Sequence, residues 1–338
     1  MTTILLMVVL FVLLIFPHEL GHFIVARLCD VQVNEFSFGM GPVIFKKQGK
    51  ETQYSIRAIP VGGFCAMEGE DTEEAGDNPR AFNNKRGWQK ILILLAGAAM
   101  NIFIAFVVMI FVSGIGGIIT NTLAGVTPGG PAELAGIRAG DVVIAVEEYE
   151  TDTWSDVINA LDIVMEKDEP VDITVKRGSE KLTFSMLPMV NEEGRRMVGI
   201  EAEISHKPGT AIKSAAIATG EMFTTIFRSL RDLIHSENVL EQVSGPVGIA
   251  MAVEETSSYG FMYYLYLVAM ISVNLAIFNL LPFPALDGGR IIFVIIRAIT
   301  GKAISDKAEG MVHMIGMAFL IGLAIIVTGS DILKLFGR

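Results

Sequence analysis

Long apolar runs, separated by polar and alternating stretches, dominate the pattern of this chain. Four of them, at 4–26, 91–113, 261–281 and 310–328, are apolar over about 20 residues, the length that crosses a bilayer as a helix. Positions 31–64 follow another rhythm. Val31, Val33, Phe36 and Phe38 alternate with other residues, and Val43, Ile44 and Phe45 follow. Tyr54, Ile56 and Ile59 come after a polar turn at Gln48-Gly49-Lys50. Period-two patterning around a turn predicts a β-hairpin or small sheet. Residues 68–78 are acidic and polar and read as a loop.

Within 120–205, strand-like runs at 142–146, 171–175 and 182–186, with a helical run at 154–164, predict a compact α+β domain. From 208 to 235, Ala211, Ala215, Ala218, Met222, Thr225 and Leu230 mark one side of an amphipathic helix, with Lys213, Arg228 and Arg231 elsewhere, which predicts a helix at the membrane interface.

The predicted fold class is a membrane protein, mainly α-helical, with four transmembrane helices, a membrane-associated β-hairpin or sheet and an inserted α+β domain. Its predicted segments are span one (1–30), a β-region and loop (31–90), span two (91–113), the α+β domain (114–207), an interfacial amphipathic region (208–260), span three (261–281), a loop (282–309) and span four with the C-terminus (310–338). Positions 2–16 lack a basic start and a following small-residue cleavage site, so they read as part of a retained span, not as a signal peptide.

Composition supports the membrane class. The chain has 338 residues, 51% of them hydrophobic, and a mean hydropathy of +0.52. A net charge of -11 and a pI near 5.0 argue against a nucleic-acid partner. Two cysteines, Cys29 and Cys65, make neither a disulfide framework nor a Cys-rich zinc site. Basic residues near the membrane ends (Arg27, Lys85, Arg86 and Lys90, then Arg290, Arg297, Lys302 and Lys307) predict that 27–90 and 290–307 lie in the cytoplasm, with both termini and 114–260 outside.

The chemistry sits inside span one. His18-Glu19-Leu20-Gly21-His22 puts two imidazoles four residues apart on one helix face, where they can grip zinc, with a glutamate beside them to take a proton from a water the metal activates. Ionisable groups in a membrane segment are costly and point to function. A catalytic zinc takes a third protein ligand. Candidates are His206, His235, His313 and, better placed, Asp287. Asp287 directly follows the helix-breaking Asn279-Leu-Leu-Pro282-Phe-Pro284-Ala-Leu and precedes Gly288-Gly289. The lesser alternative is that Asp287 caps a helix starting at Gly288 or Gly289, which would not exclude ligation.

These two motifs, on separate membrane segments and in this order, resemble the site-2 protease family of intramembrane zinc metallopeptidases, closest to the bacterial regulator of sigma-E protease type. The resemblance covers essentially the whole chain. It implies that His18, His22 and Asp287 bind Zn2+ and that Glu19 is the general base and proton shuttle. It implies that Asn279 contacts the substrate backbone or helps stabilise the tetrahedral intermediate, with Asn101 and Asn274 as further intramembrane amides suited to substrate contact or to interhelical bonding. The β-region at 31–64 is expected to hold an unwound substrate by strand addition, with Gly62-Gly63-Phe64 in the clamp and 53–59 as the run to disrupt with proline.

Gly125 to Ile144, with Pro131-Ala132 opening a short helix and Gly140-Asp141 turning into a strand, resembles the bacterial PDZ pattern. No Gly-Leu-Gly-Phe-type loop precedes Gly125, so peptide binding and a size filter both stay open. Ser244-Gly245-Pro246-Val247-Gly248-Ile249 also fits the family, its Gly-Pro turn orienting an interfacial segment. The implied function is endopeptidase cleavage of single-span membrane proteins, such as anti-sigma factors, and of remnant signal peptides, in contact with membrane lipid. The implied location is the bacterial cytoplasmic membrane, with the active site near the cytoplasmic side and the PDZ domain outside. A membrane scaffold and a zinc transporter or sensor are the competing readings.

Overall fold

The computed structural model describes residues 2–70, 77–165, 169–190, 194–235, 243–300 and 306–336. Part of the expected acidic loop (71–76) and part of the basic stretch after residue 290 (301–305) lie outside the described residues. The chain divides into two compact units, one of residues 1–109 and 215–338 and one of residues 110–214.

In the larger unit, α1 (Thr2–Leu28) runs as one helix through Pro17, which cannot donate to the carbonyl one turn back. It ends at Asp30, whose φ of 54° is left-handed, while Val31 N–H returns to the Ala26 carbonyl at 2.8 Å. Two long strands follow, β1 (Val33–Gln48) and β2 (Gln53–Met67). Their register makes four runs of them. Glu35 to Phe38 stand beside Ala66 to Gly63 on one side and Gln53 to Ile56 on the other, and Phe45 to Gln48 flank Ile56 to Gln53. Residues 53–56 are therefore interior to the sheet, paired on both sides, and the run expected to be open for strand addition is not an edge. The outer runs are 43–48 and 63–67.

α2 (Gly87–Gly116) is the second long apolar helix. α1, the sheet and α2 share a core of Ala26, Val31, Val33, Phe36, Met67, Phe82, Ile93 and Leu94. Further along come α5 (Pro208–Ile234), α6 (Pro246–Tyr259), α7 (Phe261–Asn279), α8 (Asp287–Thr300) and α9 (Asp306–Phe336). Leu10 and Leu14 of α1 pack with Val253 of α6 and Tyr264, Leu267 and Val268 of α7, and the Tyr264 hydroxyl donates to the Leu6 carbonyl at 2.8 Å. Among the described residues, four helices are long and apolar enough to cross a membrane: Thr3–Leu28, Gly87–Gly116, Phe261–Asn279 and Ala308–Leu335. They overlap the four expected spans, three of them to within four residues at each end, while the fourth continues to Leu335 where 328 was expected. α8 opens where the sequence offers a helix start at Gly288 or Gly289, within the stretch 282–309 expected as a loop and cytoplasmic segment. Its apolar side (Ile291, Val294) packs on the core shared by α1, α2 and the sheet, and this burial secures a helix that opens on two glycines.

The smaller unit is α+β, as its patterning predicts. A six-stranded antiparallel sheet has the order β10–β3–β4–β6–β7, with β5 paired to β4. The strands are β3 (Ile118–Val126), β4 (Val142–Val146), β5 (Tyr149–Glu150), β6 (Val171–Arg177), β7 (Glu180–Met186) and β10 (Ile200–Ser205); β8 (Met189–Val190) and β9 (Arg196–Met197) pair separately. Helices α3 (Pro131–Ala135) and α4 (Trp154–Val164) cover the core, which contains Leu123, Ile137, Val143, Val146, Val157, Leu161 and Ile173. Thr153 and Asp156 close a capping box at the start of α4.

Candidate metal centre

His18 and His22 lie one turn apart on α1, both buried, with ring centroids 4.8 Å apart and Nε2 atoms 3.2 Å apart. Asp287, first residue of α8, brings Oδ2 to 3.3 Å from each of those nitrogens. The helix-capping alternative for Asp287 does not match: the Leu286 carbonyl accepts the first bonds of α8, from Gly289 and Arg290 N–H. A carboxylate in the first turn still suits the positive end of the helix dipole.

The three atoms form a nearly equilateral triangle. Ligand atoms held tetrahedrally at zinc–nitrogen and zinc–oxygen lengths of about 2.0–2.1 Å stand about 3.3 Å apart, so the triangle has the edge such a site requires. Asp287 Oδ2 is buried and has no hydrogen-bond partner, a costly state for a carboxylate oxygen unless a cation satisfies it. His22 Nδ1 bonds the Ile93 carbonyl of α2 at 2.9 Å, which leaves Nε2 of the neutral ring bare and aimed at the shared point. The donor set fits zinc. Among the described residues, this is the group of three His, Cys or acidic side chains whose ligand atoms all lie within 4.8 Å of one another.

Glu19 is half-buried beside the histidines. The Cys65 backbone N–H lies near its carboxylate, and Gly63 is so close that a Cβ there would stand 3.3 Å from Glu19 Cγ. The run 63–67 thus lies directly on the glutamate. Gly62, with φ of 91°, faces Met40 across the sheet instead.

The three amides lie in the expected helices. Asn101 in α2 is fully buried, with both side-chain amide atoms unpartnered, while its carbonyl accepts from Ser272 Oγ at 2.9 Å. Asn274 in α7 buries an unpartnered Oδ1, and Asn279 ends that helix half-buried. Among the described residues, no hydrogen bond joins any of them to the three donor atoms. Of the other histidines, His206 lies by Gly117 and His235 Nδ1 bonds the Arg231 carbonyl. His313 Nδ1 accepts the Ala285 N–H at 2.8 Å, two residues before Asp287.

Sequence reasoning missed Gly97. A Cβ there would stand 2.4 Å from His22 Nε2 and 2.6 Å from His18 Cε1, so α2 offers bare backbone where the rings lie. Gly21 does the same for α1: its Cβ would meet the Ala96 carbonyl oxygen at 2.3 Å. The available signal was the small-residue run Ala96-Gly97-Ala98-Ala99 in an otherwise bulky span.

Comparison with known proteins bears on this arrangement. The model of peptidase family M50 matches residues 6–323. A protein of Clostridium acetobutylicum named as a zinc metalloprotease is 37% identical over 326 residues, covering 95% of each chain. One of Clostridium perfringens, similarly named, is 38% identical over 323 residues with the same coverage. The regulator of sigma-W protease RasP of Bacillus subtilis is 30% identical over 421 residues, covering 99% of each chain. A solved PDZ domain from Listeria monocytogenes covers 25% of this chain and 86% of its own at 19% identity, with a TM-score of 0.21, too low to bear on the fold. The chain belongs to peptidase family M50, the site-2 protease family, and is a zinc metalloprotease with, among the described residues, four helices long and apolar enough to cross a membrane.

Proposed function

We propose that this protein is an intramembrane endopeptidase that cuts the membrane segments of single-span proteins, with zinc held by His18, His22 and Asp287 and with Glu19 as general base. The observation that carries the reading is the triangle of His18 Nε2, His22 Nε2 and Asp287 Oδ2, with edges of 3.2–3.3 Å, built on an apolar helix long enough to cross a bilayer. When bound, zinc polarises water and the scissile carbonyl and brings the pKa of that water to about 7.

The rest of the work falls to side chains. The Glu19 carboxylate takes the proton of the attacking water and returns it to the leaving amine nitrogen. The packing of Gly63 against its Cγ keeps it beside the histidines. The apolar walls of α1 and α2 exclude bulk water, which strengthens each of these interactions. The amides of Asn101, Asn274 and Asn279 are assigned to the substrate backbone and the developing oxyanion. The unpartnered amide atoms of Asn101 and Asn274 support that assignment for those two residues.

A substrate helix hides its amides in its own hydrogen bonds, so cleavage requires an extended segment. We assign that segment to the flank of the run 63–67, beside Gly63 and Glu19, with Gly62 shaping the approach. The physiological substrates are proposed to be anti-sigma factors already trimmed outside the membrane, and remnant signal peptides, in a bacterial cytoplasmic membrane. The printed name of the Bacillus subtilis relative supports the regulatory role. Residues 114–207 are assigned as a PDZ domain outside the cell, and the metal site to the cytoplasmic side.

The test is cleavage of a co-expressed single-span reporter with a short ectodomain by wild type and Glu19→Gln at equal protein level. Loss of cleavage with zinc retained is the expected result. Equal processing by both proteins would refute the assignment of Glu19 and favour a scaffold.

A further inference from the structure

The chain passes from α7 to α8 through a segment that makes little regular structure. Pro282 and Pro284 have no N–H to give, Phe283 N–H turns back to the Leu281 carbonyl at 2.7 Å, and Ala285 has φ of 78°, a left-handed conformation that a Cβ disfavours. Two residues later stands Asp287. Something outside the loop must hold it there.

One face of α9 is fitted to this loop. His313 Nδ1 accepts the Ala285 N–H at 2.8 Å. One turn on, Gly316 is so close that a Cβ would stand 2.5 Å from the Pro284 carbonyl oxygen. Another turn on, the Phe319 ring lies 5.6 Å from that of Phe283. The His313 ring is 14% exposed and packs against Phe293 of α8, at 5.7 Å. Because Nδ1 accepts, the neutral ring carries its proton on Nε2. That nitrogen faces Glu309 Oε1 at 3.9 Å, and Glu309 in turn is paired with Arg297 at 2.7 Å. The Ala285 N–H, given to Nδ1, thus selects the tautomer that carries its proton on the Glu309 side.

We propose that His313 is a positioning residue for the metal centre: by accepting the Ala285 N–H it locks the strained turn that delivers Asp287 to the two histidines. The proposal rests on the reading of Asp287 as a zinc ligand. Without the bond, a part-buried N–H loses its partner and Ala285 relaxes from its left-handed conformation. The following Leu286-Asp287 then changes direction, and the carboxylate oxygen leaves the triangle.

The experiment measures zinc affinity by chelator competition on purified full-length protein in detergent, with thermal unfolding recorded for each variant. His313→Ala is expected to bind zinc about 10- to 100-fold more weakly, the range for loss of a group that orients a ligand. His313→Asn, whose Oδ1 stands close to where Nδ1 stood, should keep most of the affinity, and His313→Gln, which reaches past it, should not. Adding Ala285→Gly to His313→Ala should recover part of the loss, because glycine accepts a positive φ without penalty. A purely structural role predicts neither the Asn-over-Gln order nor the rescue. Unchanged affinity in His313→Ala, with zinc lost in Asp287→Ala, would overturn the proposal alone. Wild-type affinity in Asp287→Ala would overturn the ligand reading beneath it. Should His313→Ala fail to fold, the Asn and Gln variants decide, and equal affinities in those two reject the proposal.

Discussion

The Cβ that Gly97 lacks would stand 2.4 Å from Nε2 of His22, an atom at the corner of the metal triangle. Glycine in a helix interior normally costs about 1 kcal/mol relative to alanine, so Gly97→Ala should favour α2 as a helix. It should nonetheless push both imidazoles out of position and lower kcat by about 100-fold, the penalty typical of a displacement near 1 Å at a reacting centre. Zinc content should fall with it. Helicity by circular dichroism should not change. A Gly97→Ala protein that keeps zinc and cuts the reporter normally would show that the rings have room the packing denies.

That contact marks where the sequence stops being legible. His18, Glu19 and His22 could be read because their spacing is local, one helical turn on one face. Asp287 could be read because two prolines and two glycines bracket it. Gly97 could not, since its role depends on the depth at which α2 meets α1, which no local spacing encodes. The Cys65 N–H near Glu19 is backbone and has no residue signature. The alternation of 31–64 announced strands but not that Glu35 to Phe38 would be flanked by both 53–56 and 63–66, which turned the expected edge into the interior. The start of α8 was legible at Gly288 or Gly289, but its length was not, because the prolines and glycines at its entrance outweigh the apolar spacing of Ile291 and Val294.

Gly63→Ala separates the glutamate from the metal. The added Cβ would stand 2.9 Å from the Ser37 carbonyl oxygen, 3.3 Å from Glu19 Cγ and 3.4 Å from Ile15 Cγ2, and no histidine atom is among these nearest contacts. The run must shift or push the Glu19 side chain away from its place beside the histidines. Cleavage should drop by about tenfold while zinc affinity stays at the wild-type value. Equal loss of both would place the effect on the metal and not on the base.

Asp331, buried near the end of α9, accepts the Gly245 N–H at 2.9 Å and the Gly248 N–H at 2.8 Å. The carboxylate thus caps α6 from another helix, and a Cβ on either glycine would approach within 3.2 Å of its Oδ2. This gives the Ser244-Gly245-Pro246-Val247-Gly248 segment a physical reason beyond a turn. Asp331→Ala leaves two N–H groups unpaired at a helix start and should cost about 2–3 kcal/mol. Thermal unfolding in detergent should show it, with Asp331→Asn falling between the two. An unchanged midpoint for Asp331→Ala would mean that water or lipid headgroups replace the cap.

The smaller unit carries its own pH dependence. Asp141 is buried and takes two hydrogen bonds from Arg177, at 2.7 Å each, plus one from the Arg138 N–H at 2.9 Å. Arg177 holds the Asp141 carboxyl below its ordinary value of 3.8, against the opposing effect of burial. A depressed folded pKa means the unfolded chain binds the proton more readily, so the pair's stabilisation is fully present above that ordinary value. It is lost as pH falls from there through the lower folded value. Trp154 packs against the core of this unit and reports on it once Trp88 is replaced by Phe. Its fluorescence in the full-length protein should show greater loss of structure in denaturant as pH drops below about 4. Asp141→Asn should be less stable at neutral pH and should lack this acid-dependent step. If Asp141→Asn keeps the same acid transition, the step belongs to other carboxylates of this acidic unit, and the Arg177 pair is not what ties β6 to the turn before β4.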